Sequence, residues 1–134
     1  MKKLLLICAL SVTLGLQANG IYHVRDYGAK GDGKTLDHVA INKAIEAATT
    51  AGGGQVVLPP GTYLCGSMRL KSNVELHLMA GAKILAAPSE MKAYGLFARH
   101  VDGLHLQNVK FELMRPDERP DMVFEEVTNK QIYE

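Results

Sequence analysis

The residues of this chain best suited to acid–base chemistry are its carboxylates, because splitting a bond between two sugars takes a pair of carboxyl groups placed on either side of it. Two adjacent pairs occur, Asp117-Glu118 and Glu125-Glu126. The first lies in the run Arg115 to Pro120, where two prolines mark a charged turn rather than a central strand. The second, placed on a strand, sends its two side chains to opposite faces. Both pairs therefore read as solvated surface. Stacked strands could still bring distant acids such as Glu75 and Asp102 onto one face.

Other reactive types are more weakly placed. His23, His38, His77, His100 and His105 include no pair at metal-ligand spacing, and His77 and His105 each stand between leucines, so a strand turns them away from the leucine face. Cys65 has no assignable histidine partner and reads as a small buried hydrophobe. The run Gly28-Ala29-Lys30-Gly31-Asp32-Gly33-Lys34-Thr35 matches the phosphate-binding P-loop pattern. Nucleotide binding is nonetheless discounted. A P-loop strand is buried and apolar, whereas Ile21 to Tyr27 holds His23, Arg25 and Asp26, and no apolar strand ending in Asp follows to hold magnesium. The run is expected to be a glycine turn leading into a helix. No residue is assigned as catalytic, cofactor-binding or metal-binding, and no cofactor is expected.

The elements that would position these groups follow from periodicity. Ile21 to Tyr27 alternates as a short half-exposed strand, and Gly28 to Gly33 is a turn. Thr35 or Asp37 then caps a helix whose Ile41, Ala44, Ile45 and Ala48 fall on one face, and Gly52-Gly53-Gly54 stops it. Beyond it come short runs of period two: Gln55 to Leu58, Thr62 to Cys65, Ser67 to Leu70, Asn73 to Leu78 and Ala82 to Ala86. Ala87 to Ala93 reads as a loop. Glu75-Leu76-His77-Leu78 is echoed by Gly103-Leu104-His105-Leu106, a spacing of 28, and Val101 and Leu106 are echoed by Val127 and Ile132, a spacing of 26. Repeats of this length mark a solenoid, and strand-rich repeats with no second helix favour a parallel β-helix whose first helix caps one end.

The N-terminus carries Lys2 and Lys3, an apolar stretch Leu4 to Leu16, and the small residues Ala18-Asn19-Gly20. This is the pattern of a signal peptide over residues 1–20, too short to span a bilayer, and it predicts a secreted or periplasmic protein with no membrane attachment after cleavage. Cleavage removes two of the 15 basic side chains and none of the 14 acidic ones, turning a formal charge of +1 into about −1. With 47% hydrophobic residues, five Tyr, three Phe and no Trp, the 134-residue chain reads as one small globular domain with an aliphatic core. It is neither a disordered polyelectrolyte nor a basic, aromatic-lined nucleic-acid module.

The runs Val24 to Thr35, Val56-Val57-Leu58-Pro59-Pro60-Gly61-Thr62-Tyr63-Leu64 and Gly66 to Leu78, taken together, resemble the N-terminal portion of secreted polygalacturonase-like enzymes, the family 28 glycoside hydrolases of the pectate-lyase-like β-helix superfamily. The likeness is strong over residues 22–86, and Tyr94 to Val101 and Arg115 to Pro120 are similar to late rungs of some bacterial members. It implies a right-handed parallel β-helix of four to five rungs with an N-terminal capping α-helix, a single domain over residues 21–134. It further implies inverting hydrolysis of α-1,4-galacturonosyl linkages in a pectin-like acidic polysaccharide. The family's catalytic Asn-Thr-Asp, Asp-Asp, Gly-His-Gly and Arg-Ile-Lys motifs are not found, as though early rungs (21–86) joined late ones (94–134) directly. The chain is thus expected to be a catalytically incomplete, truncated solenoid. Its uncovered last run, Gln131 to Glu134, predicts low stability or self-association. The alternative is a non-catalytic carbohydrate-binding or surface module, with Arg69, Lys71, Lys83, Arg99 and Lys110 as the side chains that would face a polyuronate. A lyase would want calcium held by clustered carboxylates, which this sequence does not offer.

Overall fold

A computed structural model describes residues 20–66, 68–88 and 92–134. The chain runs through strand β1 (Gly20–His23), a 3-10 turn (Val24–Tyr27), β2 (Asp32–Leu36), helix α1 (His38–Thr50), β3 (Gly54–Leu58), β4 (Gly61–Cys65), β5 (Met68–Arg69), β6 (Val74–Leu78), β7 (Ala82–Ala86), β8 (Leu96–Gln107), β9 (Phe111–Leu113) and β10 (Met122–Tyr133). The strand pairings are parallel. One sheet has the order β1-β3-β6-β8-β10, with β5 also against β8, and the other has the order β2-β4-β7-β9. This is a parallel β-helix: each coil lays one strand beside the equivalent strand of the previous coil.

Three sides can be followed along the stack. The first holds β5 and the opening residues of β8 and β10; the second holds β1, β3, β6 and the closing residues of β8 and β10; the third holds β2, β4, β7 and β9. Alternation sorts side chains into inward and outward columns. Tyr22, Val56, Leu76, Leu106 and Ile132 are in register, and the middle three are fully buried. Met68 and Leu96 stack on the first side, Tyr63 and Ile84 on the third. One apolar cluster runs from Val24 to Leu106, with Met122, Phe124 and Val127 packed against it.

The corners come from residues that adopt a left-handed backbone. Gly53, Asn73, Gly103 and Asn129 each precede a member of the registered column Gly54, Val74, Leu104, Lys130, and all four have positive φ (127°, 61°, 75° and 50°). Glycine and asparagine tolerate that region best, so this column of residue types sets the bend. A second bend stacks His100 on Glu126, both at φ 53°. The corner is tied by Asp102, whose Oδ1 accepts from Thr128 Oγ1 and Asn129 Nδ2, both at 2.6 Å.

Several boundaries differ from the periodicity reading. Ile21 to Tyr27 is not one strand: β1 ends at His23, and Val24 turns inward, fully buried, as the 3-10 turn begins. The glycine turn is shorter than expected, because β2 begins at Asp32 to pair with β4. Ser67 lies outside the described residues, and the neighbouring strand is only Met68–Arg69. Leu76 pairs with Leu106 and Glu75 with His105, a spacing of 30 rather than 28. A shift of two keeps every side chain on its own face, so likeness of sequence cannot separate the two registers; the corner at Asn73 and Gly103 does. The spacing of 26 holds, with Val101 on Val127 and Leu106 on Ile132.

Helix α1 takes the first-side position ahead of β5. Its Ala40, Ile41, Ala44, Ile45 and Ala48 are buried, and three of these five are alanines, which lets the helix approach the strands closely. Its polar side joins the next coil: His38 Nδ1 accepts from the Gly66 N–H (3.2 Å), Asn42 Oδ1 accepts from the Arg69 N–H (3.3 Å), and Thr49 Oγ1 donates to the Ser72 carbonyl (3.0 Å). At the other end β10 is an edge, with Ile132 and Tyr133 about half exposed.

Candidate functional site

The P-loop-like run is a structural lock. The amide N–H groups of Lys30 and Gly31, which in a phosphate loop would face an anion, donate to the two carboxylate oxygens of Asp37 at 2.9 Å each. Asp37 is 1% exposed. It stands at the N-cap position of α1 but makes no side-chain bond to the helix, so the expected cap reaches back into the loop instead. Thr35 does not cap the helix either; it lies in β2, and its hydroxyl donates to Asp32 Oδ2. The Lys34 and Thr35 amides also donate to Asp32, holding its carboxyl down at about 2. Arg25 closes the loop by donating to the carbonyls of Lys30 (2.9 Å) and Pro60 (3.0 Å).

An open groove of about 590 Å³ lies against the second side, lined by Ile21, Gly53, Gln55, Asn73, Glu75 and His105 among others. Outward columns give it its chemistry. Gln55, Glu75, His105 and Gln131 are in register on successive coils, and His77, Gln107 and Tyr133 form the parallel column two residues on. Gln55 Nε2 donates to Glu75 Oε1 at 3.0 Å, and His77 Nδ1 lies 3.6 Å from the same oxygen. His77 Nδ1 is buried and makes no hydrogen bond. The result is a row of amide, carboxylate and imidazole groups repeated at the inter-strand spacing of about 4.8 Å.

The other acids singled out from sequence are placed elsewhere. Asp102 sits at a corner, its carboxyl lowered by the Thr128 hydroxyl and the Asn129 amide. Glu125 is on the first side, bonded to Lys92 and 3.5 Å from Arg99, and Lys92 is the main cause of its lowered pKa. Glu126 turns at its bend to pair with His100. Asp117 is held at about 2 by Arg119 within its own turn. Glu75, Asp102 and Glu125 therefore occupy a face, a corner and a different face, an arrangement unlike two acids flanking one sugar bond. The described residues contain no group of three or more histidine, cysteine, aspartate or glutamate side chains able to hold a metal ion.

The five basic candidates do not share a face. Arg69 and Arg99 project from the first side, Lys83 and Lys110 belong to the third, and Lys71 lies between β5 and β6. Lys71 pairs with Glu46 (3.1 Å) and Lys83 with Glu112 (3.2 Å). Periodicity marked all five as outward but could not say which sheet each belonged to. Gln55 and Asn73 were not singled out from sequence, although the alternation of Gln55 to Leu58 and the asparagine ahead of Val74 carried the signal. Cys65 is fully buried, and that burial pushes its thiol up to about 12.

Residues 21–108 match the family described as rhamnogalacturonase A/epimerase, pectate lyase-like, and the chain belongs to it. Alginate lyase 7 of Azotobacter vinelandii is 52% identical over 61 residues, covering 40% of this chain and 7% of that protein. The exo-poly-alpha-D-galacturonosidase of Dickeya chrysanthemi is 42% identical over 67 residues, covering 50% of this chain and 11% of its own length. The chain thus spans about a tenth or less of these relatives. Among solved structures, an iota-carrageenase complexed to iota-carrageenan fragments superposes with a TM-score of 0.62 at 23% identity, over 86% of this chain and 28% of the other, a likeness of fold. Both curated relatives are, by their names, enzymes that act on polysaccharides.

Proposed function

We propose that this chain supplies glycan-contacting coils of a protein acting on acidic, pectin-like polysaccharides outside the cytoplasm, and that the described coils bind such a polymer without hydrolysing it. The observation that carries this reading is the registered outward row Gln55, Glu75 and His105 along the open groove, continued in register by Gln131 on the last coil. Rows of hydrogen-bonding side chains at a regular spacing suit the hydroxyl edges of an extended sugar chain. Alginate and galacturonan, the polymers named for the two relatives, are polyuronates. The separation of Glu75, Asp102 and Glu125 onto different parts of the coil favours binding over inverting hydrolysis by these residues. Residues 1–19 of the expected signal peptide (1–20) lie outside the described residues; export is part of this proposal and rests on the sequence pattern.

Titration calorimetry of the full chain against polygalacturonan tests the reading. Binding is expected, and His105→Ala is expected to weaken it. No heat with polygalacturonan or alginate would overturn the proposal.

A further inference from the structure

The first side carries a second feature that the groove does not use. Arg69 on β5 is in register with Phe97 on β8, and Arg99 follows two residues later on the same outward face. Phe97 is half-buried and lies outside the apolar core cluster, so its ring belongs to the outer surface. Lys92 holds its ammonium 5.9 Å from the ring centroid. Glu125, in register with Arg99, is shared by Lys92 and Arg99, which leaves three cations around the ring facing one carboxylate. The guanidinium of Arg69 has no hydrogen-bond or ion-pair partner among the described residues; only its backbone N–H is engaged, by Asn42. The remaining outward neighbour on β10 is Val123, which carries no charge.

We infer that Phe97, flanked by Arg69 and Arg99, is a subsite for one carboxylate-bearing sugar of an acidic polymer. The ring face offers an apolar platform for the C–H face of a pyranose, and the unengaged guanidinium of Arg69 offers paired N–H donors in the fork geometry that matches a carboxylate. A neutral sugar would satisfy the platform and leave the guanidinium without its partner, so charge complementarity selects a uronate. This rests on the acidic-polysaccharide reading above and adds the residues that would read the charge.

The full chain is titrated with polygalacturonan, its fully methyl-esterified form and dextran sulfate. The subsite predicts that polygalacturonan binds more tightly than the other two and that added salt weakens it. It also predicts that Arg69→Glu weakens binding by about tenfold or more, the scale of one lost charge-assisted hydrogen-bond pair. Phe97→Ala should weaken binding to both the acidic and the esterified polymer, and Lys34→Glu, exposed on β2 of the third side, should leave the affinity unchanged. If polygalacturonan binds but Arg69→Glu has no effect while the His105→Ala variant does, the subsite is wrong and the broader reading stands. Equal affinity for the esterified polymer, or tighter binding of dextran sulfate, would also overturn the subsite. If the unaltered chain binds none of the polymers, both fall.

Discussion

Asp37 turns a run that looks like a phosphate cradle into a tie between the loop and helix α1. Its two oxygens accept the Lys30 and Gly31 amides in a nearly water-free position. Asp37→Ala should therefore destabilise the fold by about 1–3 kcal/mol, the cost of leaving buried donors without partners, read as a lower midpoint in urea denaturation with an unchanged slope. An unshifted midpoint would mean that water replaces the carboxylate at no cost. Cys65 offers a second check at this scale. Buried and with its thiol pushed up to about 12, it should resist an exposed-thiol reagent at pH 8 in a Cys8→Ser background and react fully once urea unfolds the chain. Its burial was legible from sequence because an apolar residue between strand positions has one inexpensive place to go. The partner of Asp37 was not legible, since a capping aspartate and a loop-locking aspartate have the same local sequence and differ only in where the backbone carries the preceding glycines.

Elements are decided here by corners as much as by strands. The inward columns were readable, because Leu76 and Leu106 alternate with polar residues and must be buried. The coil-to-coil register was readable only where bends are similarly spaced, as between β8 and β10, and failed by two residues between β6 and β8. Parity alone cannot detect a shift of two. The missed strand β2 has a related cause: Asp32 to Leu36 carries little apolar patterning and is a strand because β4 offers it a ladder. The column of left-handed corners makes a sharp prediction. Gly103 has φ 75°, and a Cβ placed there would sit 2.8 Å from Asn73 Oδ1. Gly103→Ala is expected to cost about 1–2 kcal/mol, whereas Asn129→Gly, at φ 50°, should be far milder in backbone terms, with its remaining effect coming from the lost bond to Asp102. Thermal unfolding of the two variants side by side measures the difference, and equal losses would contradict a corner set by backbone conformation.

For the whole molecule, acid should be the disruptive condition. Asp32 and Asp117 are held at about 2, and Asp102 and Glu125 below their ordinary values of 3.8 and 4.5. A carboxyl lowered by folding adds stability that is complete above its unfolded value and disappears as pH falls through its folded one. Stability should therefore be flat near neutrality and decline from about pH 4.5 towards pH 2, as followed by circular dichroism. Because Asp32 and Asp102 are exposed and Asp117 and Glu125 only partly buried, the loss should be gradual and sensitive to salt. A stability maximum near pH 3 would have the wrong sign. The same scale holds the functional claim, because fold class and family were legible in the run Val24 to Leu78, while the surface that would meet a glycan depends on which outward residues share a face. The most direct measurement mixes the full chain with polygalacturonan and reads calorimetric binding and reducing-end release from the same sample. Saturable binding with no release above a heat-denatured control is the predicted result; release that tracks the folded protein, or no binding at all, would contradict the account.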